Sequence, residues 1–247
     1  MKKNSIIYCL LLLCISCTKK SAEPVKTVVI FYDLSSSATN GSREAYLVET
    51  KKIIADLEPG DILIAQAITD KSIREKAEIC NIQLPIENIT STNKFKKEGQ
   101  KAEAKKIFDA ALADGENKIK AALNNPALVF ESTDILSATQ LAENIFKNYP
   151  GDKNVLVIMS DMIESSSAYN FYKEDLTEKR AETIISKIRN EKALPVLDKT
   201  CVYVCGADAA NNTNFANIQQ FWISYFTATG ATCAKEHYGA SLLKFDE

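Results

Sequence analysis

The sequence is poor in the residues that metal and nucleophile chemistry usually draw on. It carries a single histidine, His237, in 247 residues. A zinc site built on several histidines is therefore excluded. A Ser/His/Asp hydrolase would have to use that one imidazole, and nothing around it reads as an activated Ser or Cys, so His237 is expected at the surface near the last strand. Glycine is scarce, at 8 residues, and none of them gather into a Gly-rich phosphate loop. A large excess of either charge is also missing, with 30 Lys and Arg against 32 Asp and Glu. That balance argues against nucleic acid as the main partner. Past the first twenty residues no run is apolar enough to cross a bilayer, which takes about 20 residues. The chain shows no internal repeat and no long linker.

What is present begins with "MKKNSIIYCLLLLCISC". Lys2 and Lys3 form a basic start, and residues 6–15 form an apolar stretch too short to span a membrane, the pattern of an export signal. The ending "CISC" resembles the lipobox of bacterial lipoproteins, with Cys14 standing where that motif usually has Leu. The resemblance implies a signal peptide at residues 1–16 and lipidation at Cys17, which becomes the first residue. It also implies a cell-envelope location held by the lipid anchor. Thr18, rather than Asp, follows Cys17, which by resemblance to sorting rules leans toward the outer membrane. Ordinary signal-peptide cleavage, with Cys17 a bystander, is the alternative. Losing Lys2 and Lys3 leaves 28 basic against 32 acidic residues, a net charge of −4. The tether, residues 17–25, contributes eight residues beyond the anchor and reaches at most about 26 Å.

The remaining chain is long enough for one sizeable core. "KTVVIFY" is apolar throughout, as in a strand buried on both faces of a parallel sheet. "SREAYLVETKKIIADLEPG" places Tyr46, Thr50, Ile53, Ile54 and Leu57 on one helical face and stops at Pro59-Gly60. "DILIAQAI" is a second strand and "NIQLPI" a weak third, with Pro85 pointing to a sheet edge. Residues 94–124 read as a helical insertion interrupted near Gly115. "STDILSATQLAENIF" is a helix capped at Ser132 or Thr133. "NVLVIMSD", "EDLTEKRAETIISKIRN", "TCVYVCG" and "NFANIQQFWISYF" continue the alternation, with Trp222 expected in the core. The pattern predicts one α/β domain over residues 26–247: a doubly wound, mostly parallel six-stranded sheet with helices on both faces.

Two strands end alike, in Asp33 and in Asp161. In the order 3-2-1-4-5-6 the first and fourth strands are neighbours where the winding reverses, and ligands sit beyond their carboxyl ends. Two acids far apart in sequence should therefore share one crevice. Here "DLSSS" resembles the D-x-S-x-S of von Willebrand factor A-like domains with their metal-ion-dependent adhesion site. By that resemblance Asp33, Ser35 and Ser37 match the first motif, Thr133 of "ESTDIL" the threonine, and Asp161 of "MSDMIES" the final acid. The family usually has Gly after that acid, where this chain has Met162, a side chain expected to crowd the crevice. Glu164 and Ser165 to Ser167 add oxygens nearby.

The chemistry of those residues agrees with the resemblance. A hard cation such as Mg²⁺, or Mn²⁺ or Ca²⁺, takes oxygen ligands. Three neutral hydroxyls with two carboxylates leave it net positive and able to accept a partner's Asp or Glu. The implied function is divalent-cation binding and, through it, protein–protein interaction or adhesion, with no catalysis. Two readings compete: a metal-dependent phosphohydrolase of the haloacid dehalogenase-like type, and a degenerate metal-free scaffold. The phosphohydrolase needs an acid two residues after Asp33 to protonate the leaving group, and Ser35 stands there. Each residue also has a simpler role, since Asp33, Ser35 or Thr133 could cap a helix and Asp161 close a turn.

Exported cysteines suggest disulfides. Cys201 and Cys205 lie about 13 Å apart along one strand, too far to bridge. Cys80 should lie across the sheet, so Cys201 with Cys233 is the expected pair. Residues 94–106 hold six lysines against two glutamates. That run reads first as a solvated helix, and second as a contact for anionic lipid or an acidic partner.

Overall fold

The computed structural model describes residues 24–75, 77–208 and 214–242. The expected signal peptide, Cys17 and all but the end of the tether lie outside the described residues. Six strands, β1 (Lys26–Asp33), β2 (Ile62–Ile68), β3 (Ala77–Gln83), β4 (Lys153–Met159), β5 (Thr200–Cys205) and β6 (Tyr238–Gly239), form one sheet in the order β3-β2-β1-β4-β5-β6. β1 pairs in parallel with β2 and β4, β4 with β5, and β5 with β6. The strand order, and the reversal between β1 and β4, are those expected from the alternation of elements.

The exception to parallel pairing is β3, which runs antiparallel to β2 with an irregularity between Ala65 and Gln66. It also starts earlier than "NIQLPI". The connection over residues 69–76 is too short for a crossover helix, and a short connection forces the chain to double back. Pro85 falls just past the strand, at the sheet edge.

β1 is buried at every position because both neighbours and both faces are covered. Alternation splits the core in two. Val28, Ile30 and Tyr32 face α1 (Asn40–Ala55) and α2 (Lys94–Leu123). Val29 and Phe31 face α3 (Ile135–Asn148), α4 (Glu178–Asn190) and α5 (Phe215–Ala228). Trp222 is fully buried on this second side, and its Nε1 donates to Met162 O at 2.8 Å.

Gly115 does not interrupt α2, which runs as one helix from Lys94 to Leu123. A Cβ there would sit 2.8 Å from Ile82 Cδ1. The glycine lets the helix lie close on β3, so packing and not a break explains it. The end of α2 is held by Arg43, a buried residue of α1. Its guanidinium donates to Leu123 O at 3.2 Å, Asn125 O at 3.3 Å and Leu128 O at 2.9 Å, and to Leu34 O at 3.4 Å just beyond β1.

Other expectations change as well. His237 is half-buried, with its ring stacked 4.3 Å from that of Tyr203 and its Nδ1 3.6 Å from Cys201 Sγ. The Cys201–Cys233 bridge is not formed, and no disulfide joins the described cysteines. Cys201 opposes Thr232 in the sheet, so its neighbour Cys233 turns to the other face. Cys201 packs with the α1–α2 side and Cys233 with the α3–α5 side. A strand's period of two, which spacing along the chain could not assign across strands, separates the thiols.

Candidate metal centre

Three loops meet beyond the carboxyl ends of β1 and β4, stitched by main-chain hydrogen bonds. Ser36 N–H donates to Phe130 O at 3.0 Å, and Phe130 N–H donates to Leu34 O at 3.2 Å. Thr133 and Ser165 exchange a pair of bonds, at 3.0 Å and 2.9 Å. The loop after β1, the segment before α3 and the loop after β4 are thereby set against one another.

Asp33, Ser35 and Thr133 are buried in this junction, Asp161 is half-buried and Ser37 is exposed. Asp33 Oδ1 accepts from Ser35 N–H at 2.9 Å and, at the outer limit of 3.5 Å, from Thr133 Oγ1. Ser35 Oγ lies 2.9 Å from Ser37 Oγ. Asp161 Oδ1 accepts from Ile163 N–H at 2.9 Å, closing a tight turn. Burial pushes the Asp161 carboxyl up to about 6 against the help of that bond, and the nearby Asp33 pushes in the same direction. Desolvation first, and the nearby Asp161 and Asp33 after it, push up the phenol of the exposed Tyr172, while Ser37 beside it pulls the other way. All five candidate residues therefore belong to one neighbourhood.

The capping alternatives fail for three of them. α1 is capped by Thr39, which accepts from Ser42 N–H at 3.1 Å, so neither Asp33 nor Ser35 is a cap. α3 is capped by Asp134, which accepts from Ser137 N–H at 3.0 Å, and this leaves the Thr133 hydroxyl for the crevice.

Met162 does not crowd the site. Its backbone is left-handed, φ 65°, the conformation that Gly adopts most easily. Its side chain is fully buried in the α3–α5 core, away from the oxygens. Glu164 does not join the oxygens either. Its Oε2 accepts from Ile135 N–H at 2.8 Å and Leu136 N–H at 3.1 Å, the first free donors of α3. Burial pushes its carboxyl up to about 8 in spite of those donors and of Ser166.

No protein-family model matches the chain, and no curated protein matches it. The solved structures it resembles include two weak matches. One is a von Willebrand factor type A protein from Catenulispora acidiphila, at TM-score 0.45 and 11% identity over 85% of this chain. The other holds three N-terminal domains of the type V pili tip protein Mfa5 from Porphyromonas gingivalis, at TM-score 0.38 and 12% identity over 70% of this chain. The match covers 38% of the first structure's chain and 27% of the second's.

The residues present suit a hard divalent ion. Asp33 pushes the Asp161 carboxyl up, and no Lys or Arg pairs with either among the described residues. No group of three or more His, Cys, Asp or Glu gathers at metal-binding spacing among the described residues, so an ion would rest on two carboxylates with Ser35, Ser37 and Thr133. Sequence reasoning missed Ser160. Its hydroxyl is fully buried and donates to Asp33 Oδ2 at 2.8 Å. Its only signal was a serine directly before the second acid. Tyr172, which reaches Ser37 from the following loop, had none.

Proposed function

We propose that this chain is a cell-envelope lipoprotein, lipidated at Cys17 on the outer membrane, whose domain binds a divalent cation and through it a protein partner. Mg²⁺ is the first choice, with Mn²⁺ or Ca²⁺ as substitutes. Asp33 and Asp161 would supply charge, and Ser35, Ser37 and Thr133 neutral oxygens. Bound there, the cation supplies a Lewis-acidic position for an Asp or Glu of the partner, and the chain carries out no reaction. The observation that carries this reading is the meeting of the buried Asp33 and the half-buried Asp161 without a cationic side chain paired to either among the described residues. Burying uncompensated charge costs several kcal/mol, and a bound cation relieves that cost. The resemblance of "DLSSS", "ESTDIL" and "MSDMIES" to an adhesion-site motif supports the same reading.

The test is thermal unfolding of the chain from Thr18 onward, which contains every described residue, with Mg²⁺, Mn²⁺ and Ca²⁺ titrated separately. A ligand that binds only the native state stabilises it by about 2.7 kcal/mol at a hundredfold excess over Kd. Melting temperature is expected to rise with at least one ion, and the rise to vanish in Asp33→Asn and Asp161→Asn. A flat response to all three ions would overturn the proposal and favour a metal-free scaffold.

A further inference from the structure

The chain enters and α2 begins at the same end of the sheet. Val25 is pinned at the amino edge, where its carbonyl accepts from Asp152 N–H at 2.8 Å and its N–H donates to Asp152 Oδ2 at 2.9 Å. β3 leaves the sheet at that edge too, because Gln83 pairs with Ile62, the first residue of β2. Gly60 lies between the two, and a Cβ there would be 3.4 Å from Ile86 and 3.7 Å from Val25. From this end α2 climbs past Ile82 and Leu63 at Gly115 and finishes at the carboxyl edge, where Arg43 holds its last carbonyls. The 21 residue-to-residue steps from Lys94 to Gly115 span about 32 Å of helix, yet Leu63 is only the second residue of its strand. The first turns of α2 therefore run past the sheet on the side from which the tether emerges.

Those turns differ in charge from the rest of the domain. Residues 94–106 carry six lysines and two glutamates, a net of +4. The chain after residue 16 has 28 basic and 32 acidic residues, so the remainder, 22 against 30, carries −8. Lys105 pairs with Asp109 at 3.0 Å, and no ion pair involves Lys94, Lys96, Lys97, Lys101 or Lys106 among the described residues. Phe95 stands among them 88% exposed. Counting 100° per residue, it faces away from the stripe Gln100, Ala104 and Phe108 that is partly covered. Nothing in the packing of the domain accounts for that ring.

We propose that the amino-terminal turns of α2 rest on an anionic phospholipid surface, with Lys94 and Lys96 at the headgroups on either side of Phe95, Lys106 on the same face about three turns further on, and the Phe95 ring inserted between them. Clustered lysines are attracted to such a surface, and an aromatic residue anchors at the interface. The lengths agree, since the tether extends at most about 26 Å, comparable to the reach of the helix. The acidic remainder is repelled, so the two forces together would turn the carboxyl edge, with Asp33 and Asp161, away from the lipid and toward a partner. The orientation rests on the reading of Cys17 as the anchor; the lipid contact itself does not need it.

The test is cosedimentation of the chain from Thr18 onward, which has no lipid, with phosphatidylcholine vesicles containing or lacking phosphatidylglycerol. Binding is expected only with phosphatidylglycerol and is expected to fade at high salt. Each lysine removed should weaken partitioning roughly fivefold, so the triple variant Lys94→Glu, Lys96→Glu, Lys106→Glu should lose binding while keeping the parent's melting temperature. Phe95→Ser should weaken binding several-fold at the same salt. Absence of binding, equal binding to neutral vesicles, or unchanged binding by the triple variant would overturn the proposal. Retention on a soluble acidic polypeptide without vesicle binding would also overturn it and assign the lysines to a protein. Palmitate labelling of the full chain and of Cys17→Ser tests the anchor separately.

Discussion

Ser160 Oγ donates to Asp33 Oδ2 at 2.8 Å, joining the ends of β1 and β4 across 127 residues of sequence. The same hydroxyl oxygen accepts from Met162 N–H at 3.0 Å. One side chain thus fixes the first acid of the crevice and the turn that carries the second. Ser160→Ala leaves a buried carboxylate oxygen and a buried N–H without this partner, a loss of about 1–3 kcal/mol. Urea unfolding should show that loss with an unchanged slope, and cation affinity should fall with it. A change below about 0.5 kcal/mol would mean that the contact does not hold the strands together.

Glu164 gives a pH dependence of definite sign. Its carboxyl titrates near 4.5 in an unfolded chain and at about 8 in the folded one. Between those values the folded protein holds a proton that the unfolded chain releases. This contribution to stability is therefore full below about pH 4.5 and lost as pH rises to about 8. Glu164→Gln still presents an oxygen to the Ile135 and Leu136 N–H groups but cannot ionise. Its unfolding free energy should be flatter than the parent's across pH 5–8, with the variant ahead at pH 8. Parallel curves would show that Glu164 does not titrate in this window.

Arg43 satisfies the carbonyls of Leu123, Asn125, Leu128 and Leu34 at once. Arg43→Met strands buried acceptors and should cost about 2–4 kcal/mol. Hydrogen exchange should quicken first at the last turn of α2. Arg43→Lys should recover less than half, because one ammonium cannot reach carbonyls on both sides of a planar fork. Full recovery would show that charge alone matters there.

Met162 sets strain against burial. Its left-handed backbone costs about 1–2 kcal/mol, while its fully buried side chain contributes about 2–5 kcal/mol. Met162→Gly relieves the first and loses the second, a net destabilisation of about 1–3 kcal/mol by thermal or urea unfolding. A more stable variant would mean that strain outweighs packing at this turn.

Much of the fold was legible because its signals are local. Unbroken apolar runs marked β1, β2, β4 and β5, and apolar spacing marked α1, α3 and α5, since burial on both faces or on one stripe writes a period into the chain. The strand ends then put Asp33 and Asp161 at the reversal of the winding. β3 was misplaced because an edge strand with one covered face carries a weaker pattern, and Gly115 was misread because a close approach and a break call for the same residue.

What the sequence determined by itself is the sheet, its order and the approach of two acids, because strand burial and chain connectivity are properties of the residues in line. Which oxygens those acids meet was decided only in three dimensions. Thr133 turns to the crevice because Asp134 takes the cap; Glu164 turns from it because α3 offers two free donors. Met162 leaves it for a core that α5 completes, and Cys201 and Cys233 part because neighbouring strand positions face opposite ways. Thr133 is settled by its own neighbour, but for Glu164, Met162 and the two cysteines the choice fell to partners more than twenty residues away or to the opposite face of the sheet. Such partners are absent from any local window of the chain.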